Sequence, residues 1–160
     1  MAIAEYEKLD AMALSALIAK REVSASEVIE EAIARAEKHN PAINAITIPL
    51  YDLGRQTATA PLPACPLAGA PYLLKDLGAL LAGTRSTGSS TLFADFVAPH
   101  DATIVARYRA AGLVTFGKSA SPEMGLAPST EPAMFGPCRN PWNLGYSSGG
   151  SSGRAPPAVA

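Results

Sequence analysis

Histidine and cysteine are scarce in this chain, with two of each among 160 residues. His39 and His100 stand isolated, and neither C-x-x-C nor H-E-x-x-H occurs, so no metal centre is expected and no cofactor is implied. Cys65 and Cys138 are too few for a disulfide framework; they read as reduced thiols, which points to a cytoplasmic protein. An excess of one charge is also missing. Thirteen Lys and Arg oppose 14 Asp and Glu, and the isoelectric point is about 6.1. That leaves no basic footprint for nucleic acid. There is no long hydrophobic run either. The most apolar stretch, residues 70–81, is broken by Lys75 and Asp76, so no membrane span is expected. Residues 1–7 lack the basic and apolar regions of a signal peptide. Repeats and low-complexity segments are absent.

What remains is a globular balance of 48% hydrophobic and 17% charged residues, at a length compatible with one domain. Two helices are expected first. One starts on Asp10 as N-cap and runs to Lys20, with Leu14, Leu17 and Ile18 at helical spacing. The next starts at Ser24, where Ser24-Ala25-Ser26-Glu27 forms a capping box, and ends at Asn40-Pro41. Residues 43–50 read as a strand with Ile46 and Ile48 on one face. An irregular link carrying Pro61, Pro63, Pro66 and Pro71 follows. Tyr72-Leu73-Leu74 reads as a short buried strand and residues 83–90 as a Gly/Ser/Thr loop. A third helix is expected from an Asp101 cap to Gly112, with Ile104, Val105 and Tyr108 inward, and a strand over residues 113–117. Strand, loop, helix, strand is the rhythm of an α/β layer fold with a crossover helix. Residues 118–153 are mostly turn signals and small polar residues. So long a segment without regular structure points to function or disorder. With the unfinished helix of residues 155–160, it reads as the N-terminal piece of something larger.

Two features could carry chemistry. Lys75 sits at the end of the Leu73-Leu74 strand beside Asp76. A desolvated lysine there can lose its proton and act as a general base. The bland alternative is a strand-end lysine snorkelling to water. The second feature is the serine loop. Gly145-Tyr146-Ser147-Ser148-Gly149 and Gly149-Gly150-Ser151-Ser152-Gly153 both match G-x-S-x-G, which raises an esterase nucleophile elbow. An elbow needs a strand immediately before it, where Asn140-Pro141-Trp142-Asn143 reads as a turn. It also needs a histidine after the serine, and both histidines come earlier. A phosphate-binding loop is a weaker alternative, since no P-loop pattern occurs. A flexible linker is the bland one. Together, a lysine and a serine can replace a histidine-based relay.

Taken in order, these segments resemble the amidase signature family of serine amidohydrolases. Gly69-Ala70-Pro71-Tyr72-Leu73-Leu74-Lys75-Asp76 resembles the family's G-x-P-x-x-x-K-D segment. Gly117-Lys118 with Pro122-Glu123-Met124-Gly125 resembles its G-K-T-N-x-x-E-x-G strand and loop. Arg139-Asn140-Pro141-Trp142-Asn143 through Gly149-Gly150-Ser151-Ser152-Gly153 resembles its R-N-P-W and G-G-S-S-G-G core. The resemblance covers almost the whole chain. Thr130-Glu131-Pro132 and Tyr72-Leu73-Leu74-Lys75-Asp76 lean towards amidases like the 6-aminohexanoate cyclic dimer hydrolases, rather than the glutamyl-tRNA amidotransferase A subunits.

The resemblance implies the N-terminal part of an α/β/α fold, a mixed sheet with helices on both faces. Residues 1–160 would be a single incomplete amidase domain, with residues 1–40 a helical segment and 41–160 the start of the sheet core. It also implies a Ser–cis-Ser–Lys triad acting through an acyl-enzyme on a small-molecule amide. Lys75 matches the base and Ser151 the bridging serine on a cis peptide. Gly149, Gly150, Ser152, Met124 and Thr130 would bind substrate, with residues 83–90 and 124–130 as pocket walls. The family's attacking serine and oxyanion-hole donors lie in a later G-x-D-x-G-G-S-x-R segment, which has no match here. The 160 residues alone are therefore expected to be inactive. The alternative is a non-catalytic remnant or interaction module on the same scaffold. No nucleic-acid or membrane partner is expected, and a homo-oligomer is compatible with the full-length protein. The chain departs from the family at Ser119-Ala120, at Arg154 in place of a glycine, and at Pro156 and Pro157. The two prolines fit only a first helical turn.

Overall fold

A computed structural model of the chain describes Ile3, residues 5–119 and residues 121–151. Helix α1 (Ala11–Ala19) is capped by the Asp10 carboxylate, which accepts from Ala13 N at 2.7 Å. In α2 (Ala25–Ile43) the expected capping box is complete: Glu27 N donates to Ser24 Oγ, and Ser24 N donates to the Glu27 carboxylate. The Ser24 N–H and hydroxyl, both donating to the Glu27 carboxylate, favour its ionised form and hold Glu27 below the usual glutamate range.

Helix α2 does not stop at Pro41; it carries the proline in its last turn. Proline there removes one N–H from the ladder. Asn44 closes the end instead, in the left-handed conformation, donating its N–H to Asn40 O at 2.7 Å. The Asn40 side chain then bonds both N and O of Ile46, which fixes the start of β1 (Ile46–Pro49).

The link after β1 is not wholly irregular. Tyr51–Thr59 forms a third helix, α3, packed on β3 (Val114–Ser119). Gly54, Thr57 and Thr59 are poor helix formers, so propensity conceals it. Tertiary contact compensates, because Gly54 and Ala58 are buried. A Cβ at Gly54 would lie 2.8 Å from Phe116 Cβ and 3.3 Å from Phe116 Cα. Alanine would gain about 1 kcal/mol in helix propensity but overpack this contact by about 1–3 kcal/mol. Gly54→Ala is therefore expected to lower the stability of the fold by roughly 1 kcal/mol, read as a lower urea midpoint at unchanged slope.

Strand β2 (Pro71–Lys75) lies parallel to β3, and β1 lies antiparallel to it, giving a mixed sheet of order β1-β3-β2. β3 extends past Gly117 to take in Lys118 and Ser119. Alternation along β2 feeds two cores on opposite faces. Leu73 packs with Ile29, Ile33, Ile46, Val114 and Phe116, under α2 and α3. Tyr72 and Leu74 pack with Leu81, Val105 and Tyr108, under α4 (Thr103–Ala110). Helices thus cover both faces.

α4 differs from expectation at two points. Its N-cap is Ala102, because the Asp101 carboxylate is engaged by Ala82 N (2.7 Å) and Arg109 (3.2 Å). Ile104 faces solvent, while Val105 and Tyr108 turn inward, Tyr108 against the Tyr72 ring. Burial and the neighbouring Tyr108 hydroxyl push the Tyr72 phenol up to about 12. Residues 139–147 form a small hairpin of β4 (Arg139–Asn140) and β5 (Asn143–Ser147), so a strand does precede the serine loop. It belongs to a separate two-stranded sheet, not to the main one. Among the described residues, no helix is long and apolar enough to cross a membrane.

Candidate active site

The parallel register of β2 with β3 puts Lys75 opposite Ser119, at the end of the sheet. From there the half-buried Lys75 Nζ donates to Ser151 Oγ at 3.0 Å, across 76 residues of sequence. The Gly150–Ser151 peptide is cis. Lysine and serine in direct contact can pass a proton, whichever of them donates at a given moment.

Three bonds hold the serine loop in place. Ser148 N donates to Cys138 O at 3.1 Å, and Cys138 N donates to Thr130 O at 2.9 Å. The fully buried Thr130 hydroxyl closes the circuit by donating to Gly149 O at 2.5 Å. Upstream, the Asn44 amide donates to Phe135 O at 2.7 Å, tying this layer to the end of α2. Gly150 packs against backbone: a Cβ there would fall 2.9 Å from both C and O of Pro128.

The wholly buried lysine in this region is Lys118. It and Asp76 are both 0% exposed. Asp76 accepts Thr87 N at 3.0 and 3.1 Å and Thr87 Oγ1 at 2.5 Å, while its own N–H donates to Ser119 O at 2.8 Å. Lys118 Nζ donates to Arg85 O at 2.5 Å. Desolvation raises the Asp76 pKa above the ordinary carboxylate range. It also lowers that of Lys118, and the attraction between the two only partly opposes it.

Beside this cluster lies a cavity of about 170 Å³, lined mainly by Leu77, Leu80, Phe93, Phe96 and Met124, with Thr87 and Gly88 on its wall. Met124 is in the left-handed region at φ 50° and donates its N–H to Gly88 O at 2.9 Å.

The structure therefore brings Lys75 and Ser151 together and sets Gly149 on Thr130. Gly150 rests on residues 127–128, and Met124 belongs to the cavity wall. Thr130 is buried beneath the loop as a support. Ser152 lies outside the described residues. Sequence reasoning missed the roles of Thr87 and of the buried Lys118. Lys118 had a usable signal, since the apolar run of β3 leads straight into it. Thr87 had none, being one hydroxyl residue among several in its loop.

Comparison with known proteins follows the same lines. The Amidase family profile matches residues 27–160. The chain is 46% identical over 153 residues to the 6-aminohexanoate-cyclic-dimer hydrolase of Paenarthrobacter ureafaciens, covering 94% of this chain and 31% of that protein. It is 40% identical over 158 residues to the glutamyl-tRNA(Gln) amidotransferase A subunit of Acidothermus cellulolyticus, with 94% and 31% covered. The solved structure of a 6-aminohexanoate cyclic dimer hydrolase complexed with substrate superposes with a TM-score of 0.90 at 42% identity. That match covers 98% of this chain and 33% of the other. The chain thus spans about a third of the length of the relatives it matches.

Proposed function

This chain belongs to the amidase family, and on that premise we propose that it supplies the base and relay of a serine amidohydrolase. The observation that carries the reading is the 3.0 Å contact between Lys75 Nζ and Ser151 Oγ. With Lys75 neutral, the hydrogen bond reverses and the Ser151 hydroxyl donates to Nζ. An attacking serine then passes its proton to Ser151 as Ser151 passes its own to Lys75. The attacking oxygen bonds the amide carbon, the C–N bond breaks, and the proton returns through Ser151 to the leaving amine. Water then hydrolyses the acyl-enzyme by the same relay.

In this reading the attacking serine belongs to the G-x-D-x-G-G-S-x-R segment, which these 160 residues do not contain. A polypeptide limited to them is expected to turn over no amide, and they form one part of a single amidase domain. The substrate is a small-molecule amide. Identity to the cyclic dimer hydrolases favours a cyclic or linear 6-aminohexanoate amide, and the apolar cavity suits its methylene chain. A cytoplasmic enzyme that can form homo-oligomers fits the reading.

The test is Ser151→Ala in a complete amidase carrying this segment, assayed on 6-aminohexanoate cyclic dimer. Turnover is expected to fall by about 10²–10⁴-fold, as for loss of an acid–base group. Turnover within two- or threefold of the parent, about the range of assay scatter, would remove Ser151 from the relay.

A further inference from the structure

Asp76 and Lys118 are the two charged side chains withdrawn completely from solvent among the described residues, and the relay uses neither. Burying a charge is unfavourable unless it is bonded and paired, and here the bonding converges on one loop. Asp76 accepts from the N–H and hydroxyl of Thr87. Lys118 donates to Arg85 O. Thr87 Oγ1 in turn accepts Ser89 N at 3.0 Å, and Ser89 Oγ accepts Ser121 N at 3.3 Å. Residues 85–89 are thereby stitched to the end of β2, to the end of β3 and to the chain just beyond it. Asp76 is the residue after Lys75, and its N–H is bonded to Ser119 O. Whatever fixes the Asp76 carboxylate therefore fixes the root of the Lys75 side chain.

We propose that Asp76, Thr87 and Lys118 form a positioning unit for the relay, locking the main chain at Lys75 so that Nζ stays within reach of Ser151. The inference rests on the amidohydrolase reading above. Thr87, as fully buried as the other two, is its one uncharged member. Valine matches threonine in shape but removes the hydroxyl that donates to Asp76, whereas serine keeps it.

The experiment uses a complete amidase carrying this segment, with 6-aminohexanoate cyclic dimer as substrate. Thr87→Val should lower kcat about 10-fold with KM changed less than about twofold. Thr87→Ser should restore kcat, because misplacement of a catalytic group by a fraction of an ångström acts on the chemical step. Asp76→Asn should lower kcat further, and melting curves record the folded fraction of each variant. Thr87→Val with parental kcat would overturn the proposal. So would a raised KM alone, which would make Thr87 a substrate contact on the cavity wall. A kcat loss no larger than the loss of folded protein would also overturn it. Lys75→Ala is run alongside. If that variant keeps its turnover, the amidohydrolase reading itself fails. If it is inactive while Thr87→Val is normal, only the positioning inference fails.

Discussion

Lys75→Ala, in a complete amidase carrying this segment, is expected to lose about 10²–10⁴-fold in amide turnover, the usual contribution of a positioned general base. The fold should survive, because Lys75 is half-buried at the end of β2 and its backbone stays paired with β3. Lys75→Arg separates charge from base chemistry. It keeps a cation beside Ser151, yet a guanidinium does not give up its proton at working pH, so it should fall nearly as far as alanine. If Lys75 only held a positive charge near Ser151, arginine would preserve much of the activity. The measurement is kcat at saturating substrate for both variants, with circular dichroism to show the fold. Near-parental turnover in the arginine variant would exclude the base role.

Gly150→Ala is expected to be almost as damaging, for a steric reason. The new Cβ would lie 2.9 Å from C and O of Pro128 and 3.0 Å from Ala127 O. All three are backbone atoms, so no side chain can rotate away. Residue 130 cannot yield easily either, since Thr130 is fully buried, with its hydroxyl bonded to Gly149 O and its carbonyl to Cys138 N. The exposed residues 127 and 128 can take up part of the strain, and the part that falls on residues 149–151 draws Ser151 Oγ away from Lys75. A displacement near 1 Å costs about 10²-fold in rate. The loss should appear in kcat and should not exceed that of Ser151→Ala, because both act through the same hydroxyl. Activity close to the parent would show that the loop relaxes without moving the serine.

Local signals carried much of the architecture. Asp10 and the Ser24–Glu27 box announced two helix starts, since a cap is decided by neighbours within one turn. Alternating Ile46 and Ile48, the Tyr72-Leu73-Leu74 run and the strand into Gly117 located the three main strands. Ordered motifs from Gly69 to Gly153 indicated the family, and Lys75 and Ser151 could be singled out before any contact between them was known. Other features lay beyond local pattern. α3 forms because β3 offers Phe116 to a helix made of weak formers. α2 passes through Pro41 because Asn40 and Asn44 rebuild its end against β1. Asp101 does not cap α4 because Ala82 and Arg109 engage it first. At the site, the motifs that resemble the amidase family singled out which lysine and which serine to consider, whereas residue pattern without that resemblance left several serines of the loop open. Only the tertiary structure decided that Nζ and Oγ lie 3.0 Å apart. It alone decided that Lys118 and Asp76 are the buried charges, and that Thr87 among several similar hydroxyl residues is the one that holds Asp76. Those facts depend on which strands pair and in what register, and pairing between residues 76 positions apart leaves no trace in the short-range pattern of either segment.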